Sequence, residues 1–196
     1  KSREGTAVDA DDLMEDMFQN AKSIAEELGK IDKSQNNETN ELYETVGMGA
    51  LKYFMLKVDP KKRMLFDPQE SIDFNGNTGP FIQYTYARIQ SILRKNTVEI
   101  KIDEDSDITD KERALIISLL AFPKTIQEAA NSFSPALIAN YAYEIVKDFN
   151  SYYQSTPILG ADSTSIISFR VALSQQVAKV IKSSMSLLGI NVPQRM

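Results

Sequence analysis

The sequence contains no cysteine and no histidine among its 196 residues. Without cysteine it can form no disulfide, thiolate nucleophile or Cys-type zinc site. Without histidine it can form no Ser-His-Asp triad and no imidazole metal site or general base. Long hydrophobic runs are missing too, because none approaches the roughly 20 apolar residues that span a bilayer. We therefore expect a soluble globular protein with no membrane span and no secretory leader.

Acidic residues are missing from two stretches, although the whole chain has a net charge of −5. Neither 78–95 nor 163–196 contains Asp or Glu. The cations in these stretches are Arg88, Arg94, Lys95, Arg170, Lys179, Lys182 and Arg195. Local basic surfaces on an acidic protein fit a polyanionic partner that binds in one place only. On charge alone, two helices that merely expose a few cations fit equally well.

Apolar residues recur at intervals of three and four over most of the chain, and this pattern predicts amphipathic helices. Strand patterns are nearly absent, so the predicted fold class is all-α, an antiparallel helical bundle with short irregular connections. The predicted connections are a polar linker at 30–41, an irregular or briefly extended stretch at 61–77 and an acidic stretch at 96–108. The predicted helices cover about 9–29, 42–58, 80–95, 109–120, 123–133, 135–156 and 165–188.

Several helix ends carry recognisable start and stop residues. Thr109 followed by Glu112 predicts a capping box. Ser134 followed by Pro135 predicts a hydroxyl cap with proline at the first helical position. Gly189 predicts the stop of the last helix. Residues 76–79 (GNTG) predict a tight turn and a cap that together aim the helix after them.

Four segments go beyond the helical pattern. They are KSREGTAVDADDL at 1–13, GMGALKYFML at 47–56, FDP at 66–68 with FNGNTGPFIQYTYAR at 74–88, and PIL at 157–159 with LLGINVPQRM at 187–196. The third segment is the most specific, and the four occur in order over nearly the whole chain. Together they resemble the arginyl-tRNA synthetases, a family of class I aminoacyl-tRNA synthetases.

The resemblance implies a carboxy-terminal part of the synthetase, and the start at Lys1 without an initiator methionine also predicts a piece of something longer. Residues 1–30 would be the end of the class I signature loop and its following helix. Residues 31–77 would be a connecting helix and loop, and 78–196 the helical bundle that binds the anticodon. Lys1, Ser2 and Arg3 would be the remaining edge of the loop that steadies ATP phosphates.

The activity that the resemblance implies is attachment of arginine to tRNA by the whole enzyme, with ATP and Mg. Class I synthetases use a His-Ile-Gly-His type motif, and this chain has no histidine. We therefore expect the chain alone to be catalytically inactive, with no cofactor and no metal of its own. The expected partner is arginine tRNA, and arginine and ATP would bind only the whole enzyme. The resemblance also implies a cytoplasmic location. It implies a monomer as well.

The resemblance places Phe81, Tyr84, Arg88, Tyr153 and Met196 at the anticodon. The first three are spaced for one helix face, and aromatic faces stack unpaired bases. The family often has Tyr where this chain has Phe81, so a hydroxyl is lost there. At Met196 a thioether and a terminal carboxylate could meet the cytosine that arginine anticodons share. The candidate phosphate contacts are Arg94, Lys95, Arg170, Lys179, Lys182 and Arg195.

Two alternatives remain open from the sequence. One is a stand-alone helical module, derived from the synthetase domain, that binds another RNA or a protein. The other is an independent enzyme that uses the carboxylates of Asp9, Asp11 and Asp12, although these residues read better as a helix start. For each aromatic taken singly, core packing is the more frequent role.

Overall fold

The computed structural model describes residues 9–27, 36–101 and 108–196, and this part of the chain is helical without any strand. The predicted all-α fold class is confirmed. No helix within the described ranges is long and apolar enough to cross a membrane. The elements are α1 (Ala10–Glu27), α2 (Asn36–Leu56), α3 (Pro68–Ser71), α4 (Gly79–Lys95), α5 (Asp110–Leu120), α6 (Phe122–Ser132), α7 (Pro135–Ser155) and α8 (Thr164–Leu187).

Two predicted connections are wrong in part. The helix α2 begins at Asn36, inside the stretch predicted as a polar linker, because the apolar pattern that marks this helix starts only at Leu42. The stretch 61–77 contains the one-turn helix α3. Asp67 caps it, since its Oδ1 accepts hydrogen bonds from the backbone N–H groups of Gln69 (2.9 Å) and Glu70 (3.1 Å). So short a helix has no periodic pattern from which it could be predicted.

Most predicted caps are confirmed, and one is wrong. Thr109 and Glu112 form the reciprocal capping box, and Gly189 takes the left-handed conformation, with a φ of 67°. Ser134, in contrast, makes no side-chain capping hydrogen bond. It belongs to the tight α6–α7 turn, where its N–H donates to the carbonyl of Ala129 (3.0 Å). Pro135 still occupies the first turn of α7 as predicted.

The buried apolar side chains form two separate clusters. The large core fills the space between α4, α5, α7 and α8, with contributions from α2 and α6. Its fully buried members include Ile89, Phe149, Tyr152 and Ile181. The small core lies between α1 and α2, and its members include Met17, Tyr43, Val46 and Ile72. The helix α2 therefore contacts both cores.

The seam between the two cores is the close approach of α2 and α4. A Cβ atom added at Gly79 would lie 2.3 Å from the carbonyl oxygen of Gly49, so only glycine fits there. Thr78 caps α4 by accepting from the N–H of Phe81 (3.3 Å). Asn77 is tied to the large core through the hydroxyl of Tyr53 (2.6 Å). The GNTG turn therefore aims α4, as the sequence predicts.

Candidate nucleic-acid interface

The side chain of Arg88, halfway along α4, lies between two tyrosine rings. Its guanidinium carbon is 4.9 Å from the ring centroid of Tyr84 and 5.4 Å from that of Tyr153. Its Nη1 donates a hydrogen bond to Oδ1 of Asn150. The amide of Asn150 in turn donates to the hydroxyl of Thr85 (2.9 Å). These contacts fix the position of the guanidinium, with a cation–π interaction on each side.

Each of the two tyrosines is supported by a phenylalanine ring. Phe74 meets Tyr84 edge to face, with the ring centroids 6.3 Å apart and the planes at 90°. Phe149, in the large core, lies almost parallel to Tyr153, with the centroids 6.3 Å apart and the planes at 19°. Tyr153 nevertheless keeps 39% of its surface exposed. The supporting rings therefore hold the tyrosines in place and leave ring surface for a ligand.

Three adjoining cavities surround Arg88 and share lining residues, and together we call them the groove. The apolar cavity, of about 340 Å³, lies between the small core and Phe74, Tyr84, Arg88 and Met196. The middle cleft, of about 450 Å³, lies between Tyr84, Arg88, Tyr153 and Met196. The loop cleft, also of about 340 Å³, lies between Arg88, Tyr153 and the loop 156–159. Arg88 lines all three cavities.

The polar end of the groove is positively charged. Arg94 and Arg195 line the middle cleft, and Lys95 lines the loop cleft. Among the described residues that line these two clefts there is no Asp or Glu side chain. Four cations including Arg88 therefore surround exposed aromatic surface. This combination suits a flexible polyanion that carries planar groups.

The structure brings most of the predicted site residues together. Tyr84, Arg88, Tyr153 and Met196 all line the middle cleft. Arg94, Lys95 and Arg195 lie around the same groove. Lys179 and Lys182 lie exposed on α8 and are not among the described residues that line it. Lys1, Ser2 and Arg3 lie outside the described residues.

Phe81 lies apart from the groove. It is near the start of α4, packs against the large core, and contacts the ring of Tyr143 with the centroids 6.0 Å apart. Arg88 is about two turns further along the same helix, beside Asn150 of α7. The helical spacing predicts that Phe81 and Arg88 share a face of α4. It does not predict that they contact different turns of α7, at Tyr143 and at Asn150.

Arg170 also has a different place from the one predicted. Its Nε donates to Oε1 of Glu112 (2.8 Å), and the two side chains are only 13% and 2% exposed. Its Nη1 donates to the carbonyl of Pro157 (2.7 Å). Arg170 thus neutralises a buried carboxylate and holds the loop 156–159, and this placement argues against a phosphate contact.

The charge state of Glu112 follows from these contacts. Burial raises its pKa, but hydrogen bonds from Thr109 and Arg170, together with the charge of Arg170, outweigh that effect and hold the pKa below its ordinary value. The hydroxyl of Tyr152 also donates to this carboxylate (3.2 Å). Burial, with the nearby charge of Glu112, raises the pKa of Tyr152 well above its ordinary value. Glu112 is therefore a structural anion beneath the loop cleft.

Asn150 and Phe74 belong to the site, but neither was predicted from the sequence. Asn150 interrupts the apolar stripe of α7 directly after Phe149, and a polar residue at a buried position could have drawn attention to it. Phe74 begins the segment of greatest resemblance, but nothing in its local pattern predicts contact with Tyr84. In the part of the chain that is described, no cluster of acidic side chains could hold a metal ion.

This geometry defines a class of protein: an all-helical domain with a cationic groove lined by aromatic rings. Residues 82–196 match the family model of the DALR anticodon binding domain. Because this match covers more than half of the chain, the chain belongs to the DALR anticodon binding domain family.

Individual relatives agree with this assignment. The arginine–tRNA ligase of Flavobacterium psychrophilum is 56% identical over 196 residues, which is 100% of this chain and 33% of the relative. The arginyl-tRNA synthetase of Thermus thermophilus superimposes with a TM-score of 0.88 and 34% identity, over 97% of this chain and 32% of that one. The Plasmodium falciparum enzyme has a TM-score of 0.85 at 24% identity, over 96% of this chain and 34% of that one, and supports the fold alone. The chain spans about a third of the length of these relatives.

Proposed function

We propose that this chain is the part of an arginine–tRNA ligase that binds the anticodon arm of arginine tRNA. The observation that carries the proposal is the groove around Arg88, where two supported tyrosine rings lie beside four cations. Membership of the anticodon binding family and the similarity to arginine–tRNA ligases point the same way. The whole enzyme would attach arginine to tRNA with ATP and Mg, as a cytoplasmic monomer.

In the proposed complex, bases of the anticodon loop leave their stack and pack on Tyr84 and Tyr153. A stacked base contributes roughly 1–3 kcal/mol to binding. Arg88, fixed between the rings, can donate to a base edge or a phosphate, because guanidinium presents its donors in a planar fork. The thioether of Met196 can pack against a base in the apolar cavity.

Backbone phosphates would be bound by the cations at the rim of the groove. Arg94, Lys95 and Arg195 are all exposed there, and exposed cations that contact phosphate position the nucleic acid without reading its sequence. We leave Arg170 out of this set because of its pairing with Glu112, and Phe81 because it packs beside Tyr143. Lys179 and Lys182, exposed on α8, would contact a more distant part of the tRNA.

The test is a titration of the chain with two tRNA transcripts, followed by fluorescence anisotropy. One is arginine tRNA, and the other is the same tRNA with the middle anticodon cytosine replaced by adenine. We expect tighter binding of the first, and a steep loss of affinity with salt because phosphate contacts release counterions. Equal binding of both transcripts, or affinity that does not change with salt, would contradict the proposal.

Two matched pairs of variants locate the interface. Tyr153→Ala should weaken binding by roughly 1–3 kcal/mol if a base stacks on that ring, whereas Tyr143→Ala, on the same helix but outside the groove, should have a smaller effect. Arg195→Gln should reduce the salt dependence by about one phosphate contact, whereas Arg113→Gln, exposed on α5, should not. Equal effects within either pair would place the tRNA elsewhere.

A further inference from the structure

The segment that follows α8 reaches the groove through three hydrogen bonds to its backbone carbonyls. Nζ of Lys52 donates to the carbonyl of Gly189 (2.8 Å). Nε2 of Gln83 donates to that of Asn191 (2.8 Å), and Nη1 of Arg94 donates to that of Gln194 (3.0 Å). Two of these three donors, at Lys52 and Arg94, are exposed on the surface, and Gln83 is fully buried.

The buried amide of Gln83 donates two hydrogen bonds. Both of its N–H groups are engaged, because Nε2 also donates to the carbonyl of Thr45 in α2 (2.9 Å). This leaves its Oε1 buried without a hydrogen-bond partner among the described residues. A buried carbonyl without a partner costs stability. An apolar side chain would avoid that cost but would take the donor away from the carbonyls of Thr45 and Asn191, so the amide is explained by what it binds and not by packing alone.

Gly49 provides the space for this amide. A Cβ atom at Gly49 would lie 2.4 Å from Nε2 of Gln83. The second glycine of the GMGALKYFML segment therefore allows the amide to lie between α2 and the terminal segment. Gln83 is thereby the one buried side chain, among these three donors, that connects α2, α4 and residue 191.

The consequence of this connection lies at the groove. Ile190 is buried next to the held carbonyls, and Arg195 and Met196, five and six residues further on, line the middle cleft. Met196 also packs against the small core. A free terminal segment would lose backbone entropy on each occasion that it closed over a ligand. A segment held at Asn191 has already lost part of that freedom.

We propose that Gln83 is a positioning residue for base discrimination, and that it acts by holding Asn191 so that Met196 and Arg195 stay at the groove. This inference rests on the proposed function, because it assumes that Met196 contacts a base of the anticodon. Gln83 itself is fully buried and so cannot reach a ligand in the groove. Its effect on tRNA binding must therefore pass through the terminal segment.

The first measurement needs no tRNA. Methyl-labelled methionine gives each methionine of the whole chain an NMR resonance, and Met196→Ala identifies that of Met196. We expect Gln83→Leu to move this resonance towards the position of an exposed methionine, because the methyl group leaves the rings that line its cavity. Gln127→Leu, exposed on α6, is the matched control and should leave it unchanged. An unchanged resonance in a folded Gln83→Leu chain overturns the proposal.

A second variant covers the case in which Gln83→Leu does not fold. Gly49→Ala keeps the amide but displaces it, since the new Cβ would meet the flexible end of the Gln83 side chain. We expect Gly49→Ala to move the Met196 resonance in the same direction. If it folds and the resonance stays in place, the amide does not hold the segment.

The second measurement is a double-mutant cycle on tRNA discrimination. The ratio of dissociation constants for the cytosine and adenine transcripts is measured for the wild type, Gln83→Leu, Met196→Ala and the double variant. We expect each single variant to lower discrimination by roughly tenfold, in line with the loss of one buried interaction. The double variant should be no worse than Met196→Ala, because both changes act through one contact.

The outcomes separate the two proposals. Additive losses, or a loss with Gln83→Leu but none with Met196→Ala, overturn the role of Gln83 and leave anticodon binding intact. If the wild-type chain does not discriminate between the transcripts, the proposed function fails. In that case the methionine resonance still decides whether Gln83 holds the terminal segment.

Discussion

The large core and the small core contribute different parts of the groove. The large core supports Arg88 and Tyr153 through Asn150 and Phe149 of α7, whereas Tyr84 of α4 meets Phe74, which packs against the small core. The small core contributes an apolar wall from α1 and α2, which includes Ala21, Leu42 and Val46. The directional groups therefore depend mainly on the large core and the apolar wall on the small core, and the groove lies where the two cores meet.

The largest effect is expected from a substitution that creates a cavity in the large core. Phe149→Ala removes a fully buried ring and should lower the free energy of unfolding by about 3–5 kcal/mol, as measured by urea denaturation. Tyr153→Ala removes the ring stacked on it, which is much more exposed, and should cost only about 1 kcal/mol or less. If the two variants lose similar stability, Tyr153 belongs to the core and not to the site.

A smaller effect is expected at the seam between the regions. Gly79→Ala would force the backbones of α2 and α4 apart at Gly49, and overpacking of this kind costs about 1–3 kcal/mol. The matched control is Gly76→Ala, whose new Cβ would make only an ordinary contact, 3.6 Å from Cγ2 of Thr78. Thermal and urea unfolding of both variants would check this. Equal stability would mean that the cores do not depend on this close approach.

The smallest effect expected is a dependence of the free energy of unfolding on pH, through Glu112 in the large core. The pKa of Glu112 is lowered in the folded state, so its contribution is present above the unfolded-state pKa of about 4.5 and is lost as the pH falls through the folded-state value. The charged hydrogen bonds of Glu112 suggest a loss of about 1–2 kcal/mol. Urea unfolding at pH 7 and pH 3 should show this loss for the wild type but not for Glu112→Gln.

The control for the pH prediction is Glu128→Gln. Glu128 forms an exposed pair with Lys124 at 3.6 Å on α6, and such pairs contribute little. This variant should therefore keep the acid sensitivity of the wild type. If Glu112→Gln loses as much stability on acidification as the wild type, another carboxylate is responsible.

The sequence predicted the fold class and most helix bounds because they depend on local patterns. Caps such as Thr109 with Glu112 are local too, and this one is confirmed. The start of α2 was missed because residues 36–41 are polar and carry no apolar stripe. Within the predicted site, Tyr84, Arg88, Tyr153 and Met196 do lie together, although their roles stay predictions.

What the sequence could not predict depends on contacts between distant residues. The pairing of Arg170 with Glu112 joins residues 58 positions apart, and an arginine on an acid-free helix reads as a surface cation without it. Gln83 contacts a carbonyl 108 positions away, and its spacing on α4 gives no sign of that. The sequence of a basic stretch therefore does not show which of its cations are paired within the fold and which are exposed to bind a ligand.

The contacts that fix the Arg88 side chain have a further consequence for how fast and how selectively a ligand can bind in the groove. Its amide partner Asn150 and the two flanking rings fix the rotamer before any ligand arrives, so the guanidinium need not search for its pose. A flexible side chain can adapt to many ligands, whereas a preset one favours only those whose shape already matches. A change at Asn150 or Thr85, both of which are buried, would therefore release the Arg88 side chain without altering the surface that a ligand meets.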